Sequence, residues 1–204
     1  MTNRRDFLRS TVAVSASSAA ASATTLVSGS VFAEAGAPIP LAATVIDARH
    51  DAARRFGTEA EARGIQQHTI VGNITDVWQH HLARLWRSSD QVVAVAGLTE
   101  GPALFVLERL AWDHGLRVVF EAEHAWAPHG TVDHRVMRST DNRLPFDLRQ
   151  AGQHWPVLLV QSLLAEAAAP VRQYHPTAVG MAAYPGEAAK LYSWIIAPRT
   201  AAAA

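Results

Sequence analysis

Gln91-Val92-Val93-Ala94-Val95-Ala96 is a nearly unbroken apolar run, followed at once by Gly97-Leu98-Thr99-Glu100-Gly101-Pro102. A strand with one wet face alternates apolar and polar residues, whereas a strand covered on both faces does not. The run therefore reads as an interior strand with helices on either side of its sheet. The glycines and proline that follow turn the chain into a helix over about 102–114, stopped by Gly115.

Working outward, the same alternation recurs. Upstream, Thr44-Val45-Ile46-Asp47 is a short β-branched run, followed by a helical stretch from about 50 to 63 that Gly64 closes. His68-Thr69-Ile70-Val71 reads as the next strand, ended by Gly72-Asn73. Ile74, Val77, Trp78, His81, Leu82, Leu85 and Trp86 then recur at helical spacing, which places His81 on the buried stripe and His80 beside it. Downstream, Leu116-Arg117-Val118-Val119-Phe120-Glu121 is a fourth strand. The order β-α-β-α-β-α-β with short connections calls for crossovers and a parallel sheet. The expected fold class is α/β, a three-layer Rossmann-like or flavodoxin-like sandwich with a mostly parallel sheet of about five strands.

The rest of the chain is less regular. Residues 34–43 read as a flexible lead-in to a single α/β domain over 44–199. An irregular, functional insertion is expected at about 123–154, because long structureless connections are uncommon elsewhere. Pro156 opens a helix running to Ala169, residues 170–187 are irregular, Leu191–Ile196 is a last strand and 200–204 a disordered tail.

The first residues read Met1-Thr2-Asn3-Arg4-Arg5-Asp6-Phe7-Leu8-Arg9, then an uncharged Ala/Ser/Thr/Val stretch over 11–27, then Val31-Phe32-Ala33. This segment resembles a bacterial twin-arginine signal peptide, with cleavage before Glu34. The resemblance implies a periplasmic or secreted domain, the twin-arginine translocase as a partner, and export in the folded state. Passengers of that route often carry a cofactor or accompany an enzyme that does, so an accessory subunit of an exported redox enzyme is one expectation.

Composition narrows the chemistry. The chain has 18 basic and 18 acidic residues and no basic stripe, which argues against nucleic acid as a partner. No long apolar run suggests a membrane span. There is no cysteine, which excludes disulfides, iron–sulfur clusters and covalently attached haem. A divalent metal or a flavin stays open.

In open parallel sheets, ligands bind beyond the carboxyl ends of the strands. The residues just past each expected strand are Asp47, Arg49 and His50; Gly72, Asn73 and Thr75; Gly97, Thr99 and Glu100; Glu121, Glu123 and His124. Arg49, Asn73, Thr75, Gly97, Thr99 and Glu100, with Trp126, form the candidate ligand-binding set, although Asn73, Thr75 and Thr99 suit helix caps equally well. Trp126 and Trp155 flank the insertion, where they either line a pocket or anchor the loop. Between 121 and 134 the chain holds three His, two Glu and one Asp. Imidazole and carboxylate together suit a divalent metal or an acid–base pair.

Two main readings follow. In the first, the domain binds a small ligand or cofactor. In the second it is an enzyme: Glu121 or Glu123 is the base, His124 and His129 are metal ligands or acid, and Asp47 or Thr99 orients the substrate. A third reading is a structural partner whose polar strand ends are only caps. The P-loop, dinucleotide and serine-hydrolase signatures are all missing.

Overall fold

The computed structural model describes residues 38–88, 92–127, 130–168 and 190–198. Within them the β-rich runs form β1 (Leu41–Asp47), β2 (Gln66–Ile70), β3 (Ala94–Thr99), β4 (Leu116–Trp126), β5 (Val132–Arg138) and β6 (Lys190–Pro198). All six share one open mixed sheet in the order β2-β1-β3-β6-β4-β5. β1 pairs in parallel with β2 and β3, while β6 enters antiparallel between β3 and β4, and β5 closes the far edge antiparallel to β4. β1 to β4 therefore all point the same way.

Helices cover both faces. On one lie α1 (Asp51–Ala62), α4 (Leu144–Gln150) and α5 (Trp155–Ala168), the last entered through a tight turn at Gly152–His154. Phe56, Leu148, Leu159 and Leu163 pack there against Ile46, Leu98, Phe120 and Ile195. On the other lie α2, built from Thr75–Val77, a π-turn at Trp78–Leu82 and Ala83–Ser88, and α3 (Gly101–Trp112). Ile74, Trp78, Leu82 and Leu107 pack there against Val45, Val95, Trp194 and Ile196. Every residue of β3 is buried, as a strand covered on both sides requires. Gly97 is one reason the layers close: a Cβ there would lie 2.3 Å from the Trp194 ring and 2.7 Å from the Val45 carbonyl.

Glu166 ties α5 to the segment after β5. Buried on α5, it accepts from the Thr140 backbone N–H at 2.7 Å and from the hydroxyls of Thr140 and Ser139 at 2.9 and 3.2 Å. These bonds satisfy a charge that would otherwise be costly to bury.

Several expectations need correction. The sheet is not mostly parallel and has six strands, not about five: three of its five pairings are antiparallel, because β6 returns through the middle and β5 is a hairpin partner of β4. Period and propensity locate strands but carry no information about which neighbour a late strand joins. The deciding apolar run is placed later than expected, as β3 spans 94–99 and Gly97 and Thr99 belong to the strand. The segment at 123–154 is not irregular throughout, since it holds the end of β4, all of β5 and α4. Part of the expected lead-in is structural: Ile39 is buried and donates its N–H to the Ala167 carbonyl.

His81 is exposed, not on the buried stripe. The i→i+5 bonding of the π-turn adds a residue to the helical repeat, so Leu82 and Ala83 take the buried positions and His81 stacks on His68 at the surface. The proposed signal segment 1–33, His129, the irregular segment 170–187 and the tail 200–204 lie outside the described residues. Among the described residues, no helix is long and apolar enough to cross a membrane.

Candidate functional site

The carboxyl end of β1 delivers a buried acid, Asp47, and the turn after it delivers Arg49 and His50. Arg49 grips Asp47 with two parallel bonds, Nε to Oδ1 at 2.9 Å and Nη2 to Oδ2 at 2.6 Å, the fork geometry that suits a carboxylate. Its backbone N–H also reaches Oδ1, at 3.2 Å. Burial alone would push the Asp47 carboxyl up, but the bonds and charge of Arg49, with His50 nearby, hold it below its ordinary value. The guanidinium is in turn held protonated more firmly than usual, chiefly by the bonds it donates to Asp47.

Glu100, after β3, completes the group. It accepts from Arg49 Nη2 at 2.8 Å through Oε2 and bonds His50 Nε2 at 2.9 Å through Oε1. Gly72, after β2, sits under the Arg49 guanidinium with φ at 77°; a Cβ there would stand 3.0 Å from Arg49 Cζ. Three successive strand ends thus build one charged platform. Donor atoms of Asp47, His50 and Glu100 lie within 4.8 Å of one another, close enough to share a cation. Arg49 already supplies positive charge to both carboxylates, so the group is electrostatically complete as it stands.

A second group lies on the α1/α5 side of β4, β5 and β6, where period-two alternation aligns His124, His134 and Ser193. His124 is fully buried. Its Nδ1 meets His134 Nδ1 at 2.8 Å and its Nε2 meets Ser193 Oγ at 2.8 Å. Trp155, the first residue of α5, stacks on His124 at 4.5 Å and touches His134 and Trp126 edge-on or tilted. Burial and the facing imidazole drive the His124 value well down. Burial and the charge of Arg149 bring His134 down to about 4, although Asp133 opposes them. One imidazole must donate and the other accept across the shared bond, so it survives one added proton on the pair but not two.

Between the two groups opens a cleft of about 630 Å³. Arg49, His50 and the start of α1 form one wall; Trp126, Thr131 and His134 form another; Arg149, Gln153 and Trp155 form the third. Arg49 is committed to Asp47 and Glu100, and Arg55 to Asp51 at 2.8 Å. Exposed Arg149 makes no ion pair among the described residues. The side chain of His50 places no cap on the first N–H groups of α1, whose residues Asp51 and Ala52 line the cleft.

The expected site residues therefore divide. Asp47, Arg49 and Glu100 come together and, with Trp126, lie at or beside the cleft. Glu121 and Glu123 do not join His124, because alternate residues of a strand point to opposite faces. Glu121 faces Arg138 at 3.9 Å, and burial above all raises its carboxyl value. Glu123 accepts from the Tyr192 hydroxyl at 2.8 Å and lies 3.5 Å from Lys190. Burial and that carboxylate push Tyr192 up to about 12.

The acid–base cluster expected at 121–134 is thus split between two sides of the sheet. Both ring nitrogens of His124 are occupied, leaving none for a metal. Thr99 is buried and accepts from the Trp194 indole N–H at 3.1 Å, and Gly97 gives way to the same Trp194 ring, so both serve packing. Asn73 accepts from the Thr75 N–H at 2.9 Å at the entrance to α2, away from the cleft.

Reasoning from sequence missed Arg149, and it gave His134 and Ser193 no separate role. The alternation of Val132, His134 and Val136 carried the signal for His134. No family model, curated protein or solved structure matches this chain.

Proposed function

We propose that this is an exported small-molecule-binding domain, and that its ligand is an anion with an aromatic body held in the cleft beyond β1, β4 and β5. The observation that carries the reading is the pairing, in one cleft, of two indole rings with a guanidinium that has no ion-pair partner among the described residues. Trp126 and Trp155 offer apolar area at small entropic cost, and Arg149 offers a charge-assisted bond to a carboxylate.

The location supports the same reading, since ligands of α/β sheets gather at strand carboxyl ends. With β6 left aside, β1 to β4 run in the order 2-1-3-4, which supports comparison with flavodoxin-like sheets. Export rests on the resemblance of residues 1–33 to twin-arginine signals.

The test is a titration of the purified domain with benzoate, phenylacetate and phenethylamine, followed by intrinsic tryptophan fluorescence and calorimetry. The carboxylates bind and the amine does not. Arg149→Ala weakens carboxylate binding by about tenfold, the equivalent of ~1.4 kcal/mol. Equal binding of amine and acids, or no binding at all, refutes the reading.

A further inference from the structure

We propose that the cleft also performs a proton transfer on its ligand, with His50 as the general base and His134 as a neutral hydrogen-bond donor to the oxygen that gains charge. This inference rests on the binding reading above.

The two histidines of the cleft have opposite surroundings. His50 Nε2 bonds Glu100, which fixes the ring and offers a negative charge to an imidazolium. Glu100 is itself steadied by Arg49, and Arg49 by buried Asp47. Nδ1 of His50 has no partner among the described residues, and the ring is only 18% exposed. The arrangement is the base-plus-orienting-carboxylate pair that proton abstraction requires. His134 bonds another imidazole instead of a carboxylate, so its hydrogen bond offers no negative charge to an imidazolium. In the tautomer in which His124 Nδ1–H donates across the shared bond, His134 is an uncharged donor through Nε2, with His124 and Ser193 fixing its orientation.

The other cleft residues narrow the reaction. The chain has no cysteine. Ser193 is fully buried, and among the described residues Thr131 is the one hydroxyl lining the cleft. The step these groups support without another reactant is keto–enol isomerisation of an aromatic acid that carries a carbonyl beside an acidic C–H. His50 Nδ1 takes the proton from carbon, and the C–H electron pair becomes the C=C bond. The carbonyl π pair moves to oxygen, where the His134 N–H meets it. The imidazolium then returns its proton to oxygen or to carbon, so atoms and charge balance.

The probe is phenylpyruvate, which has the carboxylate, the ring and the enolisable carbon. Binding is read by calorimetry, and exchange of its benzylic protons in D₂O by ¹H NMR. The intact domain accelerates exchange above the buffer background. His50→Gln lowers that acceleration by roughly 10²-fold or more, with phenylpyruvate still bound within about threefold. Glu100→Gln, a change at a positioning residue, keeps binding and moves the acid limb of the pH–rate profile to lower pH, because the base loses its facing negative charge. The charges that set this limb are Glu100 in contact, Arg49 and Asp47 behind it, Asp51 next in the chain with Arg55 paired to it on α1, and Arg149 across the cleft.

Bound phenylpyruvate that exchanges no faster than in buffer overturns the proposal, as does wild-type exchange by His50→Gln. An unmoved profile in Glu100→Gln also overturns it, and this readout survives if the His50 variant fails to fold. Failure of phenylpyruvate to bind overturns the substrate class stated here; the binding reading then stands or falls on benzoate and phenylacetate.

Discussion

Mild acid should loosen this domain before its carboxylates titrate, and the buried histidine pair sets the size of the effect. An exposed histidine titrates near 6.5, whereas His134 in the folded chain titrates near 4. Between those values the unfolded chain holds a proton that the native chain refuses, so stability falls as the pH drops from about 6.5 towards 4. At pH 5 the gap from 6.5 is about 1.5 pH units, which makes His134 alone responsible for a loss of about 2 kcal/mol relative to pH 8. His124, lowered well below its ordinary value, and His68, lowered by burial and by His81, add losses of the same sign.

Asp47 does not interfere in this window. Its folded value is depressed, so its contribution is complete above about 3.9 and is lost only as the pH falls further. The assay is urea unfolding followed by circular dichroism at pH 8, 6.5, 5.5 and 5. His134→Asn, which cannot take up a proton, should recover about one proton's share of the slope, near 1.4 kcal/mol per pH unit. Stability that changes by less than about 1 kcal/mol between pH 8 and pH 5 refutes the reasoning, as does a variant with an unaltered slope.

Three further outcomes follow from the packing. Gly97→Ala drives a methyl into the Trp194 ring and the Val45 carbonyl, and should cost about 3 kcal/mol in urea unfolding. Glu166→Ala strips the Thr140 N–H and two hydroxyls of their acceptor and should cost about 2–3 kcal/mol, with amide exchange at Thr140 sharply faster. Asp47→Asn removes a buried charge from Arg49; because that guanidinium is partly exposed and keeps Glu100, the loss should be near 2 kcal/mol, short of a fully buried pair.

Much of the layer plan is legible in the sequence, and particular residues show where legibility stops. The all-apolar run around Val95 announces a strand covered on both sides, and the structure buries β3 completely. The pairings of β6 are not legible, because Leu191–Ile196 carries the same pattern whether it adds at an edge or enters between two strands. The stripe from Ile74 to Trp86 predicts α2, yet misplaces His81, since nothing in a 3.6-residue period announces an inserted π-turn.

At the site, the rule that strand ends converge brings out Asp47, Arg49 and Glu100. Counting acids and histidines between 121 and 134 misleads, because proximity in sequence along a strand is separation across the sheet. His124 and Glu123 are neighbours in the chain and face different layers. Ser193 has no local signal, since its partner His124 is distant in sequence and is brought to it only by strand pairing.

The seat of β6 has a consequence for the time course of folding. β3 and β4 never pair with each other; each pairs with β6. While the chain is being synthesised, β1 to β3 and the β4–β5 hairpin can each form early, but two strands then wait with unpaired inner edges for a partner about 65 residues beyond β4. β6, the last of the described strands, is the keystone of the sheet, so folding is late and governed by distant contacts, and it should be slow for a domain of this size. The interval before β6 arrives is when the exposed edge of β3, apolar on both faces, is most open to pairing with another chain.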